Sequence, residues 1–184
     1  MAYSRDSALN VHKDYKENVM NWEYYIRSYN GGYDYTLGQY LNRYNLELDN
    51  EFNQRLANTP CDNHCRNVIQ IYSSFLFRVK PSRDFGSMSE EQSLDTFLKD
   101  ADLDGNNFNN VIKQAQNYSS IYGHCFMILD KPNLTLGTRA EELQQEVRPY
   151  ISIVTPENVL DWNFKREPNG KYVLDYLKIR EEVD

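Results

Sequence analysis

Apolar side chains recur at steps of three and four residues through the first part of the chain, and this spacing predicts amphipathic helices. The first stripe runs from Val11 to Tyr29. It ends at Asn30-Gly31-Gly32, where glycine can adopt the left-handed conformation that closes a helix. A second stripe runs from Leu37 to Leu56. The first half of the chain is therefore predicted to be helical.

A third stripe, between Val68 and Val79, is the cleanest in the chain. The sequence Thr59-Pro60-Cys61-Asp62 precedes it and combines an N-cap threonine, a proline suited to the first helical position and an acid in the first turn. We therefore predict that the third helix begins at Thr59. Pro81 is expected to stop it, because the residue before a proline avoids helical dihedral angles.

Two more helices are predicted after Pro81. Ser89 to Gln92 has the residues of a capping box and opens a short helix through Leu98. A longer helix carries an apolar stripe from Phe108 to Tyr122, and Gly123 closes it.

The pattern changes to strands from Cys125 onward. Residues 133–147 are polar, with one helical turn predicted between Thr138 and Glu141, and Pro168-Asn169-Gly170 is typical of a hairpin turn. Helices followed by strands predict an α+β fold with a small, mostly antiparallel sheet. We interpret residues 1–123 as the helical part and 124–184 as the sheet part of one domain. The strands are predicted at residues 125–129, 150–154, 159–164 and 172–179.

Composition excludes some functions. The net charge is -7 and the pI is about 5.0, and no run of adjacent basic residues is present, which argues against a surface that grips DNA phosphates. Three cysteines cannot form a closed disulfide set and indicate a reducing compartment. No signal segment opens the chain, and no apolar stretch approaches the roughly 20 residues that span a bilayer. The 15 tyrosines suit either helix faces at the water boundary or subunit interfaces.

An aspartate-rich loop is the best candidate for a metal site. Asp100, Asp102 and Asp104 alternate and a glycine follows, as at the start of a calcium-binding EF-hand loop. Position 12 of such a loop needs a bidentate glutamate, but here it is Val111. Aspartate and asparagine also favour turns and N-caps. We interpret the loop as a turn in which Asp104 or Asn106 caps the next helix, and we assign no metal to it.

The other candidate residues give no site either. Cys61, His64, Cys65, His124 and Cys125 are zinc-type ligands, but they lack Cys-x-x-Cys spacing, and we interpret them as structural thiols and histidines. No nucleophile elbow, phosphate-binding glycine loop or His-Glu-x-x-His motif is present. The paired glutamates at 90–91 and 141–142 suit the first turns of helices. We predict no catalytic, cofactor-binding or metal-binding residues, and a protein that is not an enzyme.

One family resemblance goes further than these patterns. Residues 25–44, "YIRSYNGGYDYTLGQYLNRY", and residues 52–86 resemble the N-terminal half of a tailed-bacteriophage portal protein. Within the second range the similarity rests on Asn67, on Tyr72-Ser-Ser-Phe75-Leu76-Phe77 and on Lys80-Pro81. Further landmarks follow in the family's order and extend the similarity over roughly residues 20 to 180. They are "FLKDADLDGNNF" (97–108), "AQNYSSIYGHCFMILDKP" (115–132) and "RPYISIVTPENVLDWNF" (148–164).

The resemblance implies a structural virion protein. Portal proteins form rings at one capsid vertex, through which DNA is packaged and ejected. It implies contact with further copies, the major capsid protein, the terminase motor and head-tail connector proteins. Double-stranded DNA would pass through the full-length channel, and the protein would be located in the virion, assembled in the host cytoplasm. The matching part is the outer wing. The stem, clip and channel parts come later in such proteins, so the chain looks truncated and no functional residue is carried over.

Two other interpretations remain open. The chain could be a stand-alone cytoplasmic adaptor that binds one protein through its tyrosine-rich helices, or a metal-dependent protein that uses the Asp100 loop. On the portal interpretation, the tyrosine-rich helices and the edge strands are the candidates for subunit contact. Because the stem helices would supply most of the contact area, we expect the 184-residue chain alone to be monomeric or weakly associating.

Overall fold

A computed structural model of the chain describes residues 10–38, 40–59, 62–132, 138, 141, 142 and 147–181. This part of the chain contains six α-helices and four strands in antiparallel pairs, which confirms the α+β prediction. Two 3-10 helices, Gly86–Glu90 and Pro156–Asn158, lie between them. In chain order the elements are α1 Lys13–Asn30, α2 Gly32–Leu37, α3 Asp49–Asn58, α4 His64–Leu76, α5 Gln92–Lys99, α6 Phe108–Tyr122, β1 Phe126–Asp130, β2 Tyr150–Val154, β3 Val159–Arg166 and β4 Tyr172–Ile179.

The described residues group into two compact units. The first comprises those up to Ile69 and those from Pro156 onward, and the second runs from Gln70 to Thr155. Each unit contains helices and one pair of strands, so the division does not follow the boundary between helical and strand residues at 123–124. Helix α4 passes from the first unit into the second.

In the first unit, α1 is fastened to the hairpin of β3 and β4. The imidazole of His12 stacks on the Trp162 indole at 4.0 Å, and the His12 N–H donates to the Leu160 carbonyl at 2.9 Å. His12 also caps α1, because its Nδ1 accepts from the Asp14 N–H at 3.1 Å. One turn on, the Tyr15 hydroxyl donates to the Glu157 carbonyl at 3.1 Å. These contacts lie around Trp22 and Val159, both buried.

Asn63 joins the end of α1 to the start of α4. Its side-chain amide donates to the Tyr29 carbonyl, and its Oδ1 accepts from the Arg66 N–H at 2.9 Å as an N-cap. Gly31 is needed at this junction, because its φ is +67° and an added Cβ would come within 2.8 Å of the Asn63 side chain. The end of α1 therefore agrees with the sequence prediction, whereas the helix begins at Lys13, after the first residue of the predicted stripe, Val11.

The predicted second helix and two predicted helix starts are wrong. Residues 41–48 are not helical and separate α2 from α3. Thr59 ends α3 instead of starting α4: its N–H and its hydroxyl both donate to the Arg55 carbonyl, at 2.9 and 2.6 Å. Pro60 and Cys61 lie outside the described residues.

Ser89 lies in the 3-10 helix, and Glu91 is the N-cap of α5. Helix α4 ends at Leu76, before the predicted stop at Pro81.

In the second unit, α6 packs beside the pair of β1 and β2. Its N-cap is Asn107, whose Oδ1 accepts from the Asn110 N–H at 3.0 Å, so the prediction of Asp104 or Asn106 as the cap is wrong. Gly123 closes the helix with φ +87°, as predicted. Thr138 and Glu141, predicted to cap one helical turn, make two reciprocal hydrogen bonds, and residues 139 and 140 between them lie outside the described residues.

The four strands form two separate two-stranded sheets rather than one. β1 pairs with β2 from Phe126–Val154 to Asp130–Tyr150, and β3 pairs with β4 around the predicted turn at Gly170. The other edge of β2 is partly occupied by the aspartate-rich loop, because the Ile151 N–H donates to the Ala101 carbonyl at 2.7 Å. A loop carbonyl thus takes a position that a third strand would need.

Leu103 has a left-handed backbone conformation, with φ +68°, although it is neither glycine nor asparagine. This conformation costs an ordinary residue about 1–2 kcal/mol. The Leu103 side chain is 43% exposed, so the burial of its remaining surface offsets only part of that cost. We expect Leu103→Asn to raise the free energy of unfolding by about 0.5–1 kcal/mol, because asparagine tolerates this region. Urea unfolding measures the change. Leu103→Ala, which keeps the strain, is the control, and equal stability of the two variants would contradict the prediction.

Candidate association surface

The apolar side of α4 lies in water. Tyr72 is 65% exposed and Phe75 is 69% exposed, whereas Ser73 on the same helix is buried. Ile71 and Leu76 are also more than half exposed, and so is Val79, which follows the helix. Helical spacing places residues 71, 72, 75 and 76 on one side. We call the surface formed by Ile71, Tyr72, Phe75, Leu76 and Val79 the α4 face.

The α4 face is large for a surface without a partner. With about 200 Å² for a fully exposed side chain of this size, its five exposed fractions correspond to roughly 650 Å². The largest apolar patch on a typical monomer covers about 300–600 Å², and a standard protein interface covers about 800 Å² on each partner. The α4 face is therefore close to the area of an interface between two proteins.

The segment that carries the α4 face has basic residues and no acids. From Asn63 to Arg83 the chain contains no aspartate or glutamate, whereas the whole chain carries a net charge of -7. Arg78 and Lys80 are exposed beside the apolar residues, and neither pairs with a carboxylate among the described residues. A search for adjacent basic residues misses this segment. The signal that could have found it is the long interval without an acid.

A second exposed apolar surface lies in the first unit, on the segment between α2 and α3. Tyr44, Leu46 and Leu48 are exposed there, Leu46 to 95%. The same stretch carries Asp49 and the neighbouring acids, and it contains no lysine or arginine from residue 44 to residue 54. We call residues 44–51 the acidic loop.

Hydrogen bonds hold the acidic loop in place. The Arg55 guanidinium donates to both carboxylate oxygens of Glu47 at 2.7 Å and to the Asn42 carbonyl at 2.8 Å. It also stacks over the Tyr44 ring, 4.5 Å from the centroid. The Arg43 guanidinium donates to the Glu47 carbonyl at 2.7 and 3.2 Å. Leu46 is consequently presented to water on a fixed turn.

The Glu47–Arg55 pair makes this segment sensitive to acid. The hydrogen bond from Arg55 lowers the pKa of Glu47 from 4.5 to about 2, despite burial, which opposes the shift. A carboxylate with a lowered folded-state pKa contributes stability above its unfolded pKa and loses it as the pH falls. We expect the contribution of this pair to be complete above pH 4.5 and to disappear towards pH 2.

Titration of the Glu47 side-chain carbon by NMR tests this expectation. The Arg55→Gln variant should return the midpoint towards the ordinary glutamate value, because the charged donor is lost. Glu17→Gln, at an exposed helical pair on α1, serves as the control and should leave the Glu47 midpoint unchanged. A wild-type midpoint near the ordinary value would contradict the assignment.

A cluster of tyrosines lines a cleft in the first unit. The rings of Tyr24 and Tyr40 meet edge to face at 4.7 Å, and Tyr35 lies 5.2 Å from Tyr40. Burial raises the pKa of Tyr40, with Arg27 opposing this shift. The adjoining cleft, of about 300 Å³, is mostly apolar. Its lining residues are Tyr35, Thr36, Tyr40, Leu41, Leu56, Thr59 and Asp62.

The carboxylates of the aspartate-rich loop bind protein groups. Asp100 accepts from the Gly105 N–H at 3.0 Å and from the Arg148 guanidinium. Asp102 accepts from the N–H groups of Asp104 and Asn106, at 3.0 and 3.1 Å, and from the Asn106 amide at 2.7 Å. Burial raises the pKa of Asp102, but these hydrogen bonds together hold it below its ordinary value. The loop is thus built as a turn.

Four of the five predicted zinc-type residues lie in the part of the chain that the structure describes. His64 and the exposed, unpaired Cys65 lie in the first turn of α4, and Cys61 lies outside the described residues. Cys125 is 3.3 Å from the Ser119 hydroxyl and 3.3 Å from the Ala115 carbonyl, and His124 packs on Phe126. Among the residues that the structure describes, no three His, Cys, Asp or Glu side chains group as metal ligands.

Comparisons with known proteins add no relative. No model of a known protein family matches the chain, and a search of curated proteins finds no significant match. Within the described ranges, none of the helices combines the length and apolar character that a bilayer crossing requires. The proposed function therefore rests on the α4 face, the acidic loop and the tyrosine-lined cleft.

Proposed function

We propose that the protein is a structural subunit of a ring assembly, the portal of a tailed-phage capsid, and that it acts by presenting contact surfaces rather than by catalysis. The observation that supports this most is the α4 face. An amphipathic helix with its apolar side in water is the expected state of a subunit that lacks its neighbours.

The resemblance and the exposed residues coincide. Tyr72, Phe75 and Leu76 belong to the stretch that resembles the portal family, and the same three side chains are exposed. In the assembly, the protein would contact further copies and the capsid shell, and the terminase motor and connector proteins would bind the completed ring. DNA would pass through a channel built from other parts of the polypeptide. The protein would be located in the virion.

A second function is favoured by the tyrosine cluster. An open, apolar cleft lined by tyrosines is suited to binding one protein partner, as in a cytoplasmic adaptor. The two functions differ in stoichiometry: a portal subunit forms a closed ring of identical copies, whereas an adaptor stays monomeric and binds a different protein.

The test is the assembly state of the product of the complete native reading frame that contains this sequence. Mass photometry and negative-stain electron microscopy should show closed rings with a central channel. A monodisperse monomer at the highest soluble concentration would overturn the portal proposal and favour the adaptor.

A further inference from the structure

We infer that the α4 face of one copy binds the acidic loop of the next copy. This inference rests on the proposed function and specifies which two surfaces make the contact. It goes beyond the resemblance, which names no contact residues. The partner is a second copy of this chain, and the contact is head to tail because it uses two different surfaces.

The first reason is complementary charge. The stretch from Asn63 to Arg83 contains basic residues and no acid, so pairing α4 with α4 in either direction would place like charges together. The acidic loop carries the acids Glu47, Asp49 and Glu51, and because Arg55 and Arg43 pair with the first two its net charge is weakly negative. The Asp49 side chain is 86% exposed although it lies 2.6 Å from the Arg43 guanidinium, and Glu51 is exposed at the start of α3.

The second reason is complementary shape and apolarity. Leu46, the most exposed large apolar side chain among the described residues, stands on a turn held by Arg43 and Arg55. A turn whose backbone is already held in place loses little backbone entropy on binding, so the Leu46 side chain can contribute to affinity. The α4 face provides an aromatic surface, formed by Tyr72 and Phe75, against which the Leu46 side chain of the next copy packs.

The third reason is that the contact can repeat. A contact between two different surfaces leaves each copy with one free surface of each kind. Copies can therefore add in sequence, which a contact of α4 with itself does not allow. The area of roughly 650 Å² on the α4 face is below the standard 800 Å² per partner, so the contact alone is expected to be weak in the 184-residue chain.

Charge exchange tests the inference. The face variant is Arg78→Glu with Lys80→Glu. The loop variant is Asn45→Lys with Asn50→Lys, which leaves the Arg43–Asp49 and Glu47–Arg55 pairs and the Glu51 cap intact. Sedimentation velocity of the 184-residue chain, up to millimolar concentration, should show weak association for the wild type and about a tenfold loss for each variant. Combining both sets in one chain should restore association, because the charges are again opposite.

Controls separate the outcomes. Lys113→Glu with Lys171→Glu changes the net charge by the same amount as the face variant at two exposed positions that belong to neither surface, one on α6 and one directly before β4, and should leave association unchanged. Loss in the face variant without loss in the loop variant, or no restoration in the combined variant, would overturn the contact. If the 184-residue chain is monomeric throughout, the same variants in the complete gene product decide. Rings that form normally in every variant overturn the inference alone, whereas absence of rings in the wild type overturns the proposed function.

Discussion

Replacing Val111 with glutamate is expected to destabilise the second unit by about 4 kcal/mol, and calcium is not expected to restore it. Position 111 is where an EF-hand loop beginning at Asp100 would carry its bidentate glutamate. In the structure, however, Val111 is 1% exposed and packs with Ala101 and Ile151. A glutamate near the start of α6 gains about 0.3–1 kcal/mol from the helix dipole, far less than the cost of burying its charge.

Urea unfolding with and without calcium measures this effect. Val111→Ala is the control, because it removes volume from the same core without adding charge and should cost about 2 kcal/mol. A Val111→Glu variant that is as stable as wild type, and that calcium stabilises further, would contradict the structure's placement of this residue. It would also support calcium binding by the aspartate-rich loop, the alternative that the sequence left open.

The second large effect is on assembly. Tyr72→Ser combined with Phe75→Ser is expected to abolish ring formation by the complete gene product while lowering the free energy of unfolding by about 1–3 kcal/mol for the two residues together. The side chains are exposed, so little buried area is lost, and serine has nearly the same helix propensity as tyrosine and phenylalanine. By contrast, Trp22→Ala in the first unit should cost about 3–5 kcal/mol, because that indole is buried.

Mass photometry reports ring formation and urea unfolding reports stability. Met20→Ser is the control for assembly, because Met20 is 70% exposed on α1 but lies outside the α4 face. Loss of rings together with a large loss of stability would mean that Tyr72 and Phe75 support the fold instead. Rings that persist in the double variant would show that assembly does not need the α4 face.

The sequence predicted those elements whose determinants are neighbouring residues. Gly123 closes α6 and Gly170 turns the second hairpin because each adopts a positive φ within its own turn. The break between α2 and α3 was missed because it depends on Arg55, which reaches back 8 residues to Glu47 and 13 residues to Asn42. Local propensity does not reveal such longer-range bonds. Thr59 was misassigned for a local reason: its hydroxyl bonds back to the Arg55 carbonyl, so it ends α3 instead of capping the next helix.

Periodicity also identified α4 as a helix without showing what covers its apolar side. A stripe with the spacing of Val68 to Val79 is equally compatible with a core and with an interface. Only the structure distinguishes them, by burying Ser73 and exposing Phe75. The acidic loop gave a misleading periodic signal, since Tyr44 and Leu48 continue the stripe from Leu37 to Leu56 but lie on a turn whose shape depends on the Glu47–Arg55 pair.

The most direct measurement is hydroxyl-radical footprinting of the gene product, compared between its assembled and its dissociated form. The account predicts that oxidation of Tyr72 and Phe75 falls several-fold on assembly while Met20 reacts at the same rate in both. Equal reactivity of Tyr72 and Phe75 in the two states would contradict it, because the α4 face would then remain in water after assembly.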